Sequence, residues 1–333
     1  MVTSDLSISV IGAGHLGSLH AKMLKQISGA RLTGVFDIDG TKSEALASQL
    51  GVKAFQRLED ALDGVGAVSI ASTTKSHFEI ANLALERGCH VFIEKPITAT
   101  IEQAKSLVTL AEKRTRKIQV GHIERFNPAI LALEAYDLHP LFIESHRLAQ
   151  FNPRGADVAV VLDLMIHDID LILSLVRSKV TRIDANGVAV VSDSADIANA
   201  RLQFENGCVA NVTASRISQN RMRKMRLFQK DAYISIDFAQ GLAEVFRLVD
   251  EGDPNVKTTM LLGSIDQGTR KRAIVYEQPE VREVNSLKHE LELFVACLRN
   301  DTEPAVTGND GLQALEVAGE ILRMIDTQTV RLA

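Results

Sequence analysis

Cysteine is scarce: Cys89, Cys208 and Cys297 are all that 333 residues contain. They are far apart and show no metal-ligand spacing, which argues against a disulfide framework and against a bound metal. Cys89 and Cys208 sit in apolar runs and read as small core residues. Long apolar runs are also missing. Nothing approaches the ~20 residues of a membrane span, and MVTSDLSISV offers neither the basic nor the apolar region of a signal peptide. Charge of one sign is lacking too. The formal net charge is −5, from 37 basic and 42 acidic residues, so no global field draws the chain to nucleic acid or to an anionic membrane. These absences predict a cytoplasmic protein without membrane or nucleic-acid partners.

What is present suits a globular enzyme. Hydrophobic residues make up 46% and charged residues 24%, enough for a sizeable core, and the length predicts two domains. Up to Gly121, short apolar runs alternate with helical patterns. Strands are expected at Leu6–Ile11, Ala30–Phe36, Ala67–Ala71, Cys89–Ile93 and Ile118–Gly121. Helices are expected near His15–Gln26, Thr41–Leu50, Ser76–Arg87 and Ile101–Lys113, the last capped by Thr100 with Gln103 completing a capping box. Such alternation means βαβ units and a parallel sheet. The pattern then changes. Arg125–Leu133 reads as helix, Leu141–Gln150 as extended, Val158–Val176 as one long apolar helix, and Val180–Tyr276 as mostly β. Asn206-Gly207 between Ala198–Phe204 and Val209–Ser215 is a tight-turn signal. Glu251–Gln267 reads as a surface loop, and helices near Asn285–Arg299 and Gly311–Thr327 close the chain. The fold class is therefore α/β: a dinucleotide-binding domain over 1–121, then an α+β domain over 122–333 built on an open, mostly antiparallel sheet.

The first strand runs into Gly12-Ala13-Gly14-His15-Leu16-Gly17. A G-x-G-x-x-G that ends a strand and opens a helix is the dinucleotide-binding context. Gly12 permits the turn, Gly14 lets backbone approach a pyrophosphate, and Gly17 lets helix and strand pack closely. His15 and Leu16 lie on the same turn, whose free N–H groups suit phosphate. Asp37 lies at the end of the second strand, where an acid bonds the ribose hydroxyls and repels a 2′-phosphate, so NAD is expected rather than NADP. Ser72, Thr73 and Thr74 end another strand. Their hydroxyls either face the cofactor or cap the helix near Ser76.

Two constellations carry chemistry. One strand ends in Glu94-Lys95-Pro96, beside the expected cofactor; a surface ion pair is the plainer alternative. Within Val160–Ile172, Asp163 and His167 are spaced i, i+4 on an otherwise apolar helix. Burying such groups is costly unless they are paired or used, and a structural histidine bonded to Asp163 is the alternative there. Glycine loop, Glu94-Lys95-Pro96 and Asp163-x-x-x-His167, in this order, resemble the Gfo/Idh/MocA oxidoreductases across essentially the whole chain. The resemblance implies that Lys95 and His167 are the catalytic pair, that Asp163 helps hold the substrate, and that the open sheet supports a homodimer or homotetramer. Gly121–Ala129, with Arg125 as a candidate substrate contact, and Asp163–Asp170 resemble the UDP-N-acetylglucosamine 3-dehydrogenase branch. That branch implies a 3-keto nucleotide-sugar, which an aminotransferase then converts for lipid A.

On this reading His167 is the base, since imidazole titrates near neutrality, Lys95 stabilises developing negative charge, and Glu94 positions Lys95. Arg216, Arg221, Arg223, Lys224 and Arg226 form a basic cluster. Arginine pairs bidentately with phosphate, so Arg221 and Arg223 are candidate contacts to a substrate diphosphate; a solvated strand face or an oligomer contact is the alternative. The interleaved Met222 and Met225 are not aromatic, which disfavours nucleic acid. Two other functions stay open: a dehydrogenase of an inositol or free aldose, and a non-catalytic nucleotide-sensing regulator, which would not need the Lys95–His167 pair.

Overall fold

The computed structural model describes residues 5–152, 158–250, 260–267 and 270–332, which fall into two compact units. The first comprises 1–123 and 285–316, the second 124–284 and 317–333. The second domain was expected to run unbroken from 122 to 333. Instead, Asn285–Glu316 groups with the first unit, because Leu287, Leu291, Phe294 and Val295 pack into the core formed by Ile8, Val10, Leu24, Val35 and Phe92. Phe294 meets Phe92 edge-on at 5.6 Å between ring centres. Helical periodicity alone could not say which core that amphipathic face joins.

The first unit is a parallel sheet of β1 (Leu6–Ile11), β2 (Ala30–Phe36), β3 (Lys53–Ala54), β4 (Ala67–Ile70), β5 (His90–Glu94) and β6 (Ile118–Gly121), in the order β3-β2-β1-β4-β5-β6. This order places ligands at the carboxyl ends of the strands near β1 and β4. β4 and β6 are buried at every residue, as expected of strands covered on both faces. The crossovers include α1 (His15–Leu24), α2 (Gly40–Leu50), α3 (Leu58–Leu62), α4 (Thr74–Glu86) and α5 (Ile101–Arg114). The expected cap is present: Thr100 accepts from Gln103 N at 3.3 Å.

The second unit holds α6 (Pro128–Leu131), β7 (Phe142–Leu148), α7 (Ile166–Val176), β8 (Val180–Val188), β9 (Ile197–Phe204), β10 (Val209–Ser215), β11 (Met222–Phe228), β12 (Ala232–Asp237), β13 (Leu242–Asp250), β14 (Met260–Gln267) and β15 (Arg270–Glu277). Among the described residues its strands form a nine-stranded sheet in which only β7 and β10 pair parallel. The hairpin β9–β10 forms where the sequence placed it. Its turn is wider than two residues: Gly207 N donates to Phe204 O and Phe204 N to Cys208 O. Gly207 alone takes positive φ, +88°. α7 packs on β7 and β10. Elsewhere on the sheet, rings from five strands form a half-buried row, Phe142–Phe228–Tyr233–Phe246–Tyr276, with centres 5.8, 5.0, 5.5 and 5.1 Å apart. The surface loop expected over Glu251–Gln267 is partly strand. Met260–Gln267 pairs antiparallel with β15, whose backbone groups supply the ladder, while 251–259 lie outside the described residues.

Candidate active site

In the first unit the glycine loop, Asp37, the Ser72–Thr74 turn and Glu94–Lys95 gather at the carboxyl ends of β1, β2, β4 and β5. Gly12 has φ +104°, and a Cβ there would sit 2.7 Å from Ala71 O. A Cβ on Gly17 would lie 1.8 Å from Gly12 O, so α1 rests directly on the turn. Gly14 differs: nothing lies within 4 Å of its would-be Cβ, and it is exposed together with His15 and Leu16. α2, α5 and α8 (Ser286–Asn300) are capped by Asp39, Thr100 and Asn285, whereas α1 begins at Gly14 with no side-chain cap. Its first-turn N–H groups thus face an open side, as a pyrophosphate requires. Asp37 accepts from Ala13 N at 2.6 Å and from Asp39 N at 2.9 Å. Its carboxylate is thereby tied to the glycine loop, as a ribose-binding acid should be. These residues fit a dinucleotide.

Neither reading of the Ser72–Thr74 hydroxyls is complete. Thr73 occupies the N-cap of α4 without a side-chain cap bond, and Ser72 Oγ accepts from Ser76 Oγ at 2.9 Å. Lys95 is half-buried and its peptide bond to Pro96 is cis. Glu94 bonds away from solvent: its Oε1 lies 2.9 Å from Nε2 of His20, a fully buried residue of α1. Sequence reasoning passed over His20, as it did His77, which is buried in α4.

In the second unit, Asp163 lies in a π-helical segment, Val161–Met165, that leads into α7. Asp163 and His167 are both half-buried between buried Val161, Met165 and Ile166. The uniform α-helix expected over Val158–Val176 is thus underwound at one point, which loosens the i, i+4 facing of the pair; π segments often mark functional positions. The carboxylates that follow were also unforeseen. Asp168 and Asp170 are each 1% exposed. Arg147 grips Asp168 bidentately at 2.7 and 3.0 Å and reaches Glu124 at 3.2 Å. Burial works against the Arg147 charge, but Asp168 and Glu124 outweigh it and push the pKa up. Two acids in an apolar helix were a visible demand for partners, but nothing in the sequence said which arginines meet it.

Two expected substrate contacts are committed within this framework. Arg125 forks onto Asp170 at 2.7 and 2.6 Å, and Arg223 pairs with Glu124. The basic cluster does not form one surface. Along β11 side chains alternate: Arg223 shares a face with buried Met225 and Leu227, whereas Lys224 and Arg226 point to the other and pair with Asp237 and Glu144 at 3.1 and 2.5 Å. Arg216, 4% exposed, lies 3.7 Å from Asp196 and donates to Val158 O, just before the π segment. Burial alone would raise the Asp196 pKa, yet N–H groups of Val190, Val191 and Ser192 hold it down at about 2. Arg221 is exposed and has no ion-pair partner among the described residues.

Comparison with known proteins agrees with this geometry. Residues 6–122 match the oxidoreductase family with an NAD-binding Rossmann fold, and residues 141–235 match the GFO/IDH/MocA C-terminal domain. A UDP-N-acetylglucosamine 3-dehydrogenase from Acidithiobacillus ferrooxidans is 41% identical over 71% of this chain and 75% of its own. A solved structure of that enzyme covers 98% of this chain and 99% of its own, with TM-score 0.87 and 33% identity. An NAD-dependent scyllo-inositol 2-dehydrogenase from Bacillus subtilis is 26% identical, covering 93% of this chain and 91% of its own.

Proposed function

The chain belongs to the Gfo/Idh/MocA oxidoreductases, with NAD as cofactor, and we propose that it oxidises C3 of UDP-N-acetylglucosamine to the ketone. The observation that carries this is the near full-length likeness, 98% of the chain at TM-score 0.87, to an enzyme with that name. The glycine loop and the uncapped start of α1 hold the pyrophosphate and Asp37 the ribose. When bound, NAD supplies the acceptor for the hydride that leaves the carbinol carbon. His167 takes the hydroxyl proton. Lys95 donates a hydrogen bond to the same oxygen and stabilises its charge as the carbonyl forms. Asp163 accepts from a neighbouring hydroxyl, and Arg221, exposed beside Arg223, suits the substrate's diphosphate.

A 3-keto nucleotide-sugar is a substrate for amination, so a pathway aminotransferase feeding lipid A is the matching consumer. The aromatic row suits a homodimer or homotetramer, and three free, buried cysteines suit a cytoplasmic protein. The inositol dehydrogenases among the relatives favour a second reading, oxidation of an inositol. One experiment separates them. The protein is mixed with NAD and, in parallel, UDP-N-acetylglucosamine or myo-inositol; NADH is followed by absorbance and the product by mass spectrometry. A nucleotide-sugar lighter by two hydrogens is expected. NADH formed with myo-inositol alone overturns the nucleotide-sugar assignment, and NADH with neither overturns both.

A further inference from the structure

Two buried histidines of the first unit lie on either side of Lys95. His20, from α1, is fully buried. Its Nδ1 is 2.8 Å from Ser69 Oγ and its Nε2 2.9 Å from Glu94 Oε1. The arrangement that satisfies all three groups has the Ser69 hydroxyl donating to Nδ1 and Nε2–H donating to the carboxylate. The order Ser–His–Glu looks like a nucleophilic relay, but Ser69 and His20 are closed to any substrate at 1% and 0% exposure. The chain can only hold Glu94 still. Gly121 makes room for it: a Cβ there would lie 3.0 Å from the Glu94 carboxyl.

His77, from α4, is 1% exposed. Its Nδ1 faces Pro96 O at 3.0 Å and its Nε2 faces Ser72 O at 3.2 Å. Burial pushes its pKa below the usual histidine value, against the pull of the two carbonyls. A neutral ring has one N–H and donates to only one of these carbonyls. Placed on Nδ1, that N–H holds Pro96 O, the nearer of the two, and the ring sits between the residue after Lys95 and the turn at the end of β4. Buried, hydrogen-bonded groups of this kind fix the rotamer and backbone of what they touch.

We propose that His20 and His77 are positioning residues for Lys95: one fixes the Glu94 side chain before it, the other the Pro96 backbone after it. This rests on Lys95 acting on the reacting oxygen, as proposed above. Misplacing a reacting group by about an ångström costs up to ~100-fold in rate, so a lysine without its splint should turn over slowly while NAD still binds.

The test is a double-mutant cycle. His20→Leu and His77→Ala are made in the native chain and in Lys95→Ala. Single-turnover NADH formation is measured with UDP-N-acetylglucosamine, or with myo-inositol if that proves to be the sugar oxidised. Each change should slow the native chain ~10–100-fold, with NAD affinity within about twofold, and should cost nothing further in Lys95→Ala. His77→Asn, which can still donate to Pro96 O, should recover part of the His77→Ala loss. If His20→Leu fails to fold, the His77 pair decides. Equal losses in both backgrounds, no loss in the native chain, or no recovery by His77→Asn overturn the inference and leave Lys95 in place. Normal turnover in Lys95→Ala alone overturns the assignment of Lys95, and the inference with it.

Discussion

Among the described residues, the cofactor loop of the first unit makes no ion pair. Gly12 and Gly17 let backbone meet backbone, Gly14 leaves one side open, and Asp37 accepts two backbone N–H groups. The helix of the second unit is the opposite case. Its own Asp168 and Asp170 are buried, each answered by an arginine fork, with Glu124 shared between Arg147 and Arg223. Shape defines the first region and compensated charge the second. Close approach in the glycine loop is partly local, Gly17 against Gly12, and partly set by the neighbouring strand end, Gly12 against Ala71. Charge compensation binds a helix to a distant turn and distant strands, and one missing partner leaves an ion stranded in an apolar interior.

The largest effects should fall on chemistry, equally in both regions. Lys95→Ala and His167→Ala are each expected to lower turnover by ~10²–10⁴, the range for positioned acid–base groups. Circular dichroism and calorimetry should show a folded chain that binds NAD. Near-normal turnover in either variant removes that residue from the mechanism. Unfolding of His167→Ala would return His167 to the framework, as one more charge partner.

Next comes the ion-pair framework. Arg147→Ala is expected to destabilise the chain by about 3–5 kcal/mol in urea unfolding, because Asp168 loses its partner while buried. Replacing both charges, Arg147→Met with Asp168→Leu, should restore about half of the loss or more, since apolar groups of similar volume often serve as well. If the double variant is no better than the single one, the pair supplies geometry that packing cannot replace, and the contrast with the glycine loop sharpens further.

The same contrast explains which parts of the site were legible. Gly12, Gly14 and Gly17 announce themselves because a turn and a helix start impose their spacing within six residues. The parallel sheet was legible for the same reason, each βα unit carrying its own periodicity. Arg147 and Asp168 are 21 residues apart, Arg125 and Asp170 45, and Glu124 and Arg223 99. No local period links such partners; only the packing of helix, turn and strand in the folded unit does. Arg125 and Arg223 therefore read as free substrate contacts until the fold showed them engaged. The strand at Met260–Gln267 was hidden likewise, since its ladder partner, not its own composition, makes it a strand.

A smaller effect tests the cofactor side. Asp37→Ala should cut the preference for NAD over NADP by ~10–100-fold, as expected for one charged hydrogen bond lost together with the repulsion of a 2′-phosphate. Calorimetry with each cofactor measures it. Tighter binding of NADP by the native chain would contradict the role given to Asp37.

The smallest effect bears on the basic cluster of the second unit, which one strand divides between two faces. Alternation along β11 assigns Arg223 to the face that holds Met225 and Leu227, and Arg226 to the opposite face, where Glu144 neutralises it. Arg221 precedes the strand, exposed, and makes no ion pair among the described residues. A substrate diphosphate is better met by a charge not already spent inside the protein, because breaking an existing pair subtracts from the gain. Arg221→Ala should therefore lower kcat/KM for the nucleotide-sugar ~10-fold, the low end for a charged hydrogen bond. Arg226→Ala should change it by less than about twofold, the scale of an exposed ion pair. Light scattering on both variants separates substrate binding from assembly. If Arg226→Ala lowers kcat/KM and Arg221→Ala does not, the diphosphate lies on the other face of the sheet. If Arg226→Ala instead dissociates an oligomer, the Lys224–Arg226 face belongs to subunit contact, and the cluster divides between two tasks as its strand divides between two faces.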